Sequence, residues 1–393
     1  MSHPTPVDRH GPAHPAAAMP DAAPTSNPGR GRHAGRAAAP TVEPRPHPAV
    51  AVPPARPAVD ERFGTVVVVV AALLLGTASV VGFVRRPVGH RAAGPVPTAP
   101  GGDGYTYDRL TDPARTVVRA AGGAVVAVLT DGSRTVRLTG PPRRFTEPRL
   151  TPRTVHTDAR VRLLPRPWRA TAYRTGWFAD WFARARDDRS PDVLDVVAQY
   201  LDGAPEQRDR AGVRFAGDAA YRAPADDDGD GRAESPDFHD YLGVPWSFPD
   251  GATRQPTDGR YGNVDGPGFV RLVYGYRLGL RLRSRADTGT GGLPRTAAGI
   301  AARGSGTLVA RDRSGPPSLG ALQEGDLVLF ADGPAGTAIT RVGIYLGPDD
   351  NGRPRFAASR SRADGPTFGD TGGRAELDGG GHYARSLRAI RRL

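Results

Sequence analysis

Asp265-Gly266-Pro267-Gly268-Phe269-Val270-Arg271-Leu272-Val273-Tyr274 is the stretch whose reading decides the fold. It opens a helix: Pro267 suits a first turn, where its missing N–H costs nothing, and Phe269, Val270 and Val273 fall on one face. Downstream, Leu293-Pro294-Arg295-Thr296 leads into the small-residue segment from Ala297 to Ala302. Leu322-Gln323-Glu324-Gly325-Asp326 is a turn into the apolar strand Leu327-Val328-Leu329-Phe330, and Arg341-Val342-Gly343-Ile344-Tyr345-Leu346-Gly347 is the next strand of the sheet.

In order and spacing these four blocks resemble the NlpC/P-sixty family of papain-like cell-wall endopeptidases, over roughly residues 255 to 393. The resemblance implies an α+β papain-like domain, with four to six antiparallel strands and the former nucleophile helix packed against them. Gly268, Gly325, Asp326, Gly343 and the apolar strand positions match the family. The reacting positions do not. The family's nucleophilic Cys, placed at a helix start where N–H groups favour thiolate, is Gly266 here, followed by Pro267 instead of Ser. Its general-base His, before Val-Gly-Ile-Tyr, is Arg341, which stays protonated. The third polar position falls at Ala358. His382 is the one His in the matched region, Ser305 has no acid or base beside it in sequence, and neither a His-Glu zinc motif nor a Gly-x-Ser-x-Gly elbow occurs. Loss confined to the reacting atoms implies a pseudoenzyme that binds wall peptide or a protein partner; the alternative is an active endopeptidase using other residues.

Upstream of the matched region, Ala124 to Leu129 and Arg134 to Leu138 flank Thr130-Asp131-Gly132-Ser133 and read as a hairpin, with a further strand over Thr154 to Leu164. Trp177, Phe178, Trp181 and Phe182 recur at helical spacing and read as core, with a sugar-stacking platform as the competing role. Ser190-Pro191-Asp192 supplies an N-cap, a first-turn Pro and a dipole-matching acid for a second helix from Val193 to Leu201.

Asp226 to Asp237 places carboxylates at positions 1, 3, 5, 9 and 12 of a twelve-residue loop, with Gly231 at position 6. Asp226, Asp228, Asp230, Glu234, Asp237 and the carbonyl of Arg232 then form the ligand set of a structural Ca2+ site, the alternative being a solvated acidic turn. Ending in Asp237 rather than Glu, the loop resembles that of dockerin repeats. Ser235 and Pro236 then open a helix through Phe238, Tyr241 and Leu242.

Residues 1–62 are Pro- and Ala-rich and too poor in large apolar groups to offset ordering entropy, so they read as a disordered tail. Phe63 to Val84 carries no charge across 22 residues, roughly 33 Å of helix against a hydrocarbon layer of about 30 Å. It reads as one transmembrane helix, left uncleaved. Arg45, Arg56 and Arg62 before it balance Arg85, Arg86 and Arg91 after it, so charge does not orient the span. The resemblance does, placing the C-terminal domain outside a cell membrane crossed once. The remaining segments are a linker (85–104), a β-rich module (105–175), a helical segment with the calcium-like loop (176–250) and the NlpC-like domain (251–393).

The 393 residues carry 53 basic side chains, every one Arg, against 41 acidic ones, for a net charge of +12. The Arg residues are dispersed among Asp and Glu instead of gathered into a stripe with aromatic platforms, which argues against nucleic acid. The sign suits peptidoglycan, an anionic wall polymer or an envelope protein as partner. With no Cys, the chain has no disulfide and no thiol nucleophile.

Overall fold

The computed structural model describes residues 104–221, 236–284 and 291–393. The chain divides at Val84–Arg85, and the first unit, with the expected tail and span, lies outside the described residues, as does the linker up to residue 103. Among the described residues no helix is long and apolar enough to cross a membrane. The fold is mixed α+β, built mostly on antiparallel sheets with short helices.

Strands β1 (Thr106–Leu110), β2 (Arg115–Arg119), β3 (Val125–Thr130), β4 (Thr135–Thr146) and β5 (Thr154–Leu163) follow one another as a five-stranded antiparallel meander. The expected hairpin is β3–β4, with Gly132 at φ +79° in its turn. The β4–β5 ladder breaks between Thr139 and Arg143, where Pro141 and Pro142 have no N–H to donate. Alternation gives the sheet two apolar faces. Val118, Ala127, Leu129, Val136 and Leu138 meet Trp168 and the helix α1 (Gly176–Asp187) on one side, whereas Val155 and Val161 of β5 turn to the second core. Phe178 and Phe182 are buried in the first core and Trp177 and Trp181 pack half-buried around it, so the aromatic stripe is core. Because α1 closes this core, the β module extends past residue 175 to include it.

The second helix, α2 (Val193–Ala198), is shorter than expected, and its cap is Asp192, not Ser190. The Asp192 carboxylate accepts from the N–H of Leu194 and Asp195, while Asp195 accepts from the Asp192 N–H; this reciprocal box puts the cap two residues after Ser190 and keeps the start at Val193, as expected. Two short ribbons follow, β6 (Gln207–Arg208) with β7 (Arg214–Ala216) and β8 (Trp246–Ser247) with β9 (Thr253–Arg254), and between them α3 (Phe238–Leu242). Asp237 caps α3.

Helix α4 (Gly266–Val270) runs on into a π-helical stretch, Arg271–Arg277, and α5 (Ala297–Arg303) starts after Thr296. The second sheet holds β10 (Thr307–Arg311), β11 (Leu327–Ala331), β12 (Ile339–Pro348), β13 (Pro354–Arg360), β14 (Gly365–Thr367) and β15 (Leu387–Arg392), the last preceded by α6 (His382–Ser386). Its order is β10-β15-β11-β12-β13-β14, antiparallel throughout. Phe269, Val270 and Val273 bury one side of α4 against Leu327, Leu329, Val342, Ile344 and Ala357. Gly343 is required there, since a Cβ would lie 2.5 Å from the Phe356 ring and 2.8 Å from the Ala357 carbonyl.

The last strand ties the two sheets together. Arg392, 1% exposed, donates bidentately to Asp326 at 2.7 Å and 2.7 Å and to Thr130 Oγ1 at 2.6 Å. The Leu393 oxygen accepts from the N–H groups of Arg134 at 2.7 Å and Thr135 at 2.6 Å. Arg392→Met strands the Asp326 carboxylate in the interior, a loss of about 3–5 kcal/mol for one partner of a buried pair. Denaturant unfolding followed by Trp fluorescence is expected to show a drop of that size, and a midpoint unchanged from wild type would contradict the tie.

Candidate functional site

Three helix starts converge beneath the second sheet because their caps are wired to one another. Asp265 caps α4, accepting from Gly268 N–H at 2.6 Å, and receives Arg295 at 3.0 Å and 3.2 Å. Arg295 immediately precedes Thr296, whose hydroxyl accepts from Gly299 N–H to cap α5. Asp237 at the start of α3 accepts from Arg271 Nε at 3.0 Å and 3.2 Å and lies 3.6 Å from Arg295 Nε. Arg271 has no exposed surface and spends a second nitrogen on the carbonyls of Arg283 and Leu293. Gly268 leaves room for this junction: a Cβ there would come within 2.8 Å of the Asp265 carboxylate and of the Pro236 carbonyl.

Burial pushes the Asp237 carboxyl up, but Arg271 and Arg295 outweigh it and hold the group down at about 2. Burial likewise pulls the Arg295 guanidinium down, while Asp265 and Asp237 raise it further than they lose. Both ions therefore persist near neutral pH.

Gly266 sits above this junction. A Cβ there would make ordinary contacts, 3.4 Å from the Val342 carbonyl oxygen of β12 and 3.5 Å from the Ser359 carbonyl oxygen of β13. The β12–β13 ladder runs from Pro348↔Pro354 to Ile344↔Ala357, and Ala358 follows directly, paired across to Thr367 of β14. Gly266, Arg341 and Ala358 all line one cleft of about 1300 Å3. Arg341 is exposed; Ala358 is 4% exposed and packs with Phe330, Phe356 and Tyr383. The three positions named from sequence are thus brought together, without a sulfur, an imidazole or any side-chain heteroatom except the guanidinium.

His382 lines the cleft too, and burial, then Arg341 and Arg385, lower its pKa, so it is neutral near pH 7. His239 was not singled out in sequence because it precedes the matched blocks, yet α3 brings it into the same cleft. It is 8% exposed, its pKa is lowered chiefly by burial, and its Nδ1 lies 3.7 Å from Asp237 without a hydrogen-bond partner. No hydroxyl of the lining is paired to either imidazole: Ser359 donates to the Val264 carbonyl at 2.5 Å and Ser284 to Asp250 at 2.5 Å. Ser305 lies off the cleft, accepting from Gly292 N–H.

Of the calcium-like set, Asp226, Asp228, Asp230, Arg232 and Glu234 lie outside the described residues. Asp237, assigned to the twelfth ligand position, caps α3 and pairs with Arg271, and that pairing occupies its carboxylate. Among the described residues no group of three or more His, Asp or Glu is placed to hold a metal ion.

No family model matches this chain, and neither curated proteins nor solved structures yield a match.

The depressed Asp237 pKa fixes an acid dependence. A carboxylate held below its unfolded value of 3.8 adds stability at neutral pH that disappears as pH falls from about 4 through 2, about 2–3 kcal/mol for a shift of this size. Asp237→Asn is expected to lower the neutral-pH stability by about 3–5 kcal/mol, because Arg271 is left buried and unpaired. It should also flatten the loss of melting temperature between pH 4 and pH 2; an acid limb as steep as wild type would contradict the assignment.

Proposed function

We propose that the chain is a single-pass, membrane-anchored envelope protein whose outward C-terminal region is a papain-like, NlpC/P-sixty-type domain that binds without cutting. One observation carries the reading. The three positions that the resemblance makes catalytic, Gly266, Arg341 and Ala358, line one cleft at the start of a helix packed on an antiparallel sheet, and none of them can react. Acyl transfer by this type of site needs a nucleophile that loses its proton to a nearby base and an oriented base that returns it to the leaving amine. Glycine supplies no atom for the first role, a guanidinium cannot accept the proton, and alanine orients nothing. What persists is shape: a cleft wide enough for a wall peptide or a segment of an envelope protein, held on buried ion pairs.

A second reading, an active peptidoglycan endopeptidase, has one observation in its favour. His239 lines the cleft as a neutral imidazole beside Asp237, the pair of groups that a base and its orienting acid require. Among the described residues its Nδ1 has no hydrogen-bond partner, hydroxyl or otherwise.

A muropeptide digest separates the two. Wild-type protein is expected to release no product, and product abolished by His239→Gln would replace the first reading with the second. The triple variant Gly266→Cys, Arg341→His, Ala358→His restores all three chemical groups. Gly266→Cys has room for its Cβ, whereas Ala358→His crowds Phe330 and Tyr383 at about 1–3 kcal/mol. Cleavage by a folded triple variant is the expected outcome, and a folded variant that stays inert counts against an inherited cleft. We also propose a structural Ca2+ in the loop before α3; a higher melting temperature with calcium than with chelator is expected, and equal values would remove it.

A further inference from the structure

The acids lining the cleft are all engaged within the protein. Asp237 is held by Arg271, Asp265 by Arg295, and Asp240, 3% exposed, accepts from the backbone N–H groups of Asp237 and Thr257. Four guanidiniums of the lining are not. Arg254 and Arg260 reach it from the segment between α3 and α4, Arg341 from β12 and Arg362 from the turn after β13. Among the described residues these four side chains form no hydrogen bond and no ion pair. Among the described residues the cleft's uncommitted charges are therefore of one sign and come from separate elements.

That asymmetry discriminates among ligands. Among the described lining residues a peptide bearing ammonium groups finds no free carboxylate to meet them, whereas a chain with an anion at every repeat finds several unpaired guanidiniums, the side chain best shaped for phosphate oxygens. Single-stranded nucleic acid also needs exposed rings on which bases stack. Among the rings that line the cleft, Phe248 is 4%, Phe330 1%, Tyr383 5% and His239 8% exposed, which leaves only Tyr221 and His382, both half-buried, rather than a run of stacking platforms. We propose that the cleft takes a polyanionic chain of repeated phosphodiester groups without bases, contacted by Arg254, Arg260, Arg341 and Arg362. This rests on the binding, non-cutting reading above and narrows its ligand.

The test uses the full-length chain in detergent micelles and measures Kd at low and moderate salt for a poly(glycerol phosphate) oligomer, an oligo-thymidylate of equal charge, polyglutamate, and a disaccharide-peptide from digested wall. Poly(glycerol phosphate) is expected to bind tightest, with affinity falling steeply as salt rises. Arg341→Gln with Arg362→Gln should weaken it by about tenfold or more. The control pair Arg184→Gln with Arg313→Gln, exposed and away from the cleft, removes the same charge and should leave it near wild type. Oligo-thymidylate or polyglutamate binding as tightly as poly(glycerol phosphate), or equal losses in the two variant pairs, would overturn the proposal. Binding of the disaccharide-peptide alone would overturn it while leaving the binding reading intact; binding of none of the four would sink both.

Discussion

Two ion pairs, Asp237 with Arg271 and Asp265 with the half-buried Arg295, hold together everything else at the cleft, and three of the four groups have almost no access to water. Removing four charges from water is costly, and only dense, well-directed hydrogen bonding offsets it. The chain meets that demand with Arg, whose planar fork reaches a carboxylate and backbone carbonyls simultaneously, as Arg271 does with Asp237, Arg283 and Leu293. A Lys at any of these places would lack the donors to satisfy three partners in a plane. Each carboxylate also caps a helix, so α3, α4 and α5 cannot drift relative to one another without breaking an ion pair and a cap together.

On the proposed reading, this arrangement lets the cleft keep its form without reactive side chains at positions 266, 341 and 358. Gly266 is placed by the cap at Asp265 and by the strands beneath it, none of which depends on a side chain at position 266. Arg341 and Ala358 are placed by strands whose opposite faces bury Val342, Ile344 and Ala357 against α4. The positions that hold the fold and the three positions that line the cleft are thus physically separate, which the proposed non-cutting reading requires. The Arg341 guanidinium also charges the cleft, and its field, after burial, helps to hold the pKa of His382 down.

Much of the architecture was readable from residues alone, and the exceptions are physical. The β3–β4 hairpin, the α1 stripe and the helix opening at Asp265 each rest on local periodicity and turn chemistry, and each stands in the structure. The start of α2 at Val193 is legible, but the sequence puts its cap at Ser190 because Ser190 and Asp192 both offer cap chemistry, and the reciprocal bond from Asp195 favours Asp192. The placement of α1 on the first sheet depended on which face of that sheet needed covering, which no spacing reveals. Nor could spacing show that Asp237 would serve Arg271, or that His239 would enter the cleft, since both follow from long-range contacts between α3 and the helix after Asp265.

We propose that position 266 lines a positively charged cleft that lacks only the reacting atoms of a papain-like site. Because the chain has no cysteine, Gly266→Cys introduces a single thiol, and its alkylation rate measured against pH reports its pKa without background. A thiol beside Arg341, reachable from solvent, is expected to titrate below about 8.5 and to shift upward when Arg341→Gln is added. A thiol that resists alkylation in the folded protein, or one that titrates at about 8.5 or above whether or not Arg341 is present, would contradict the account.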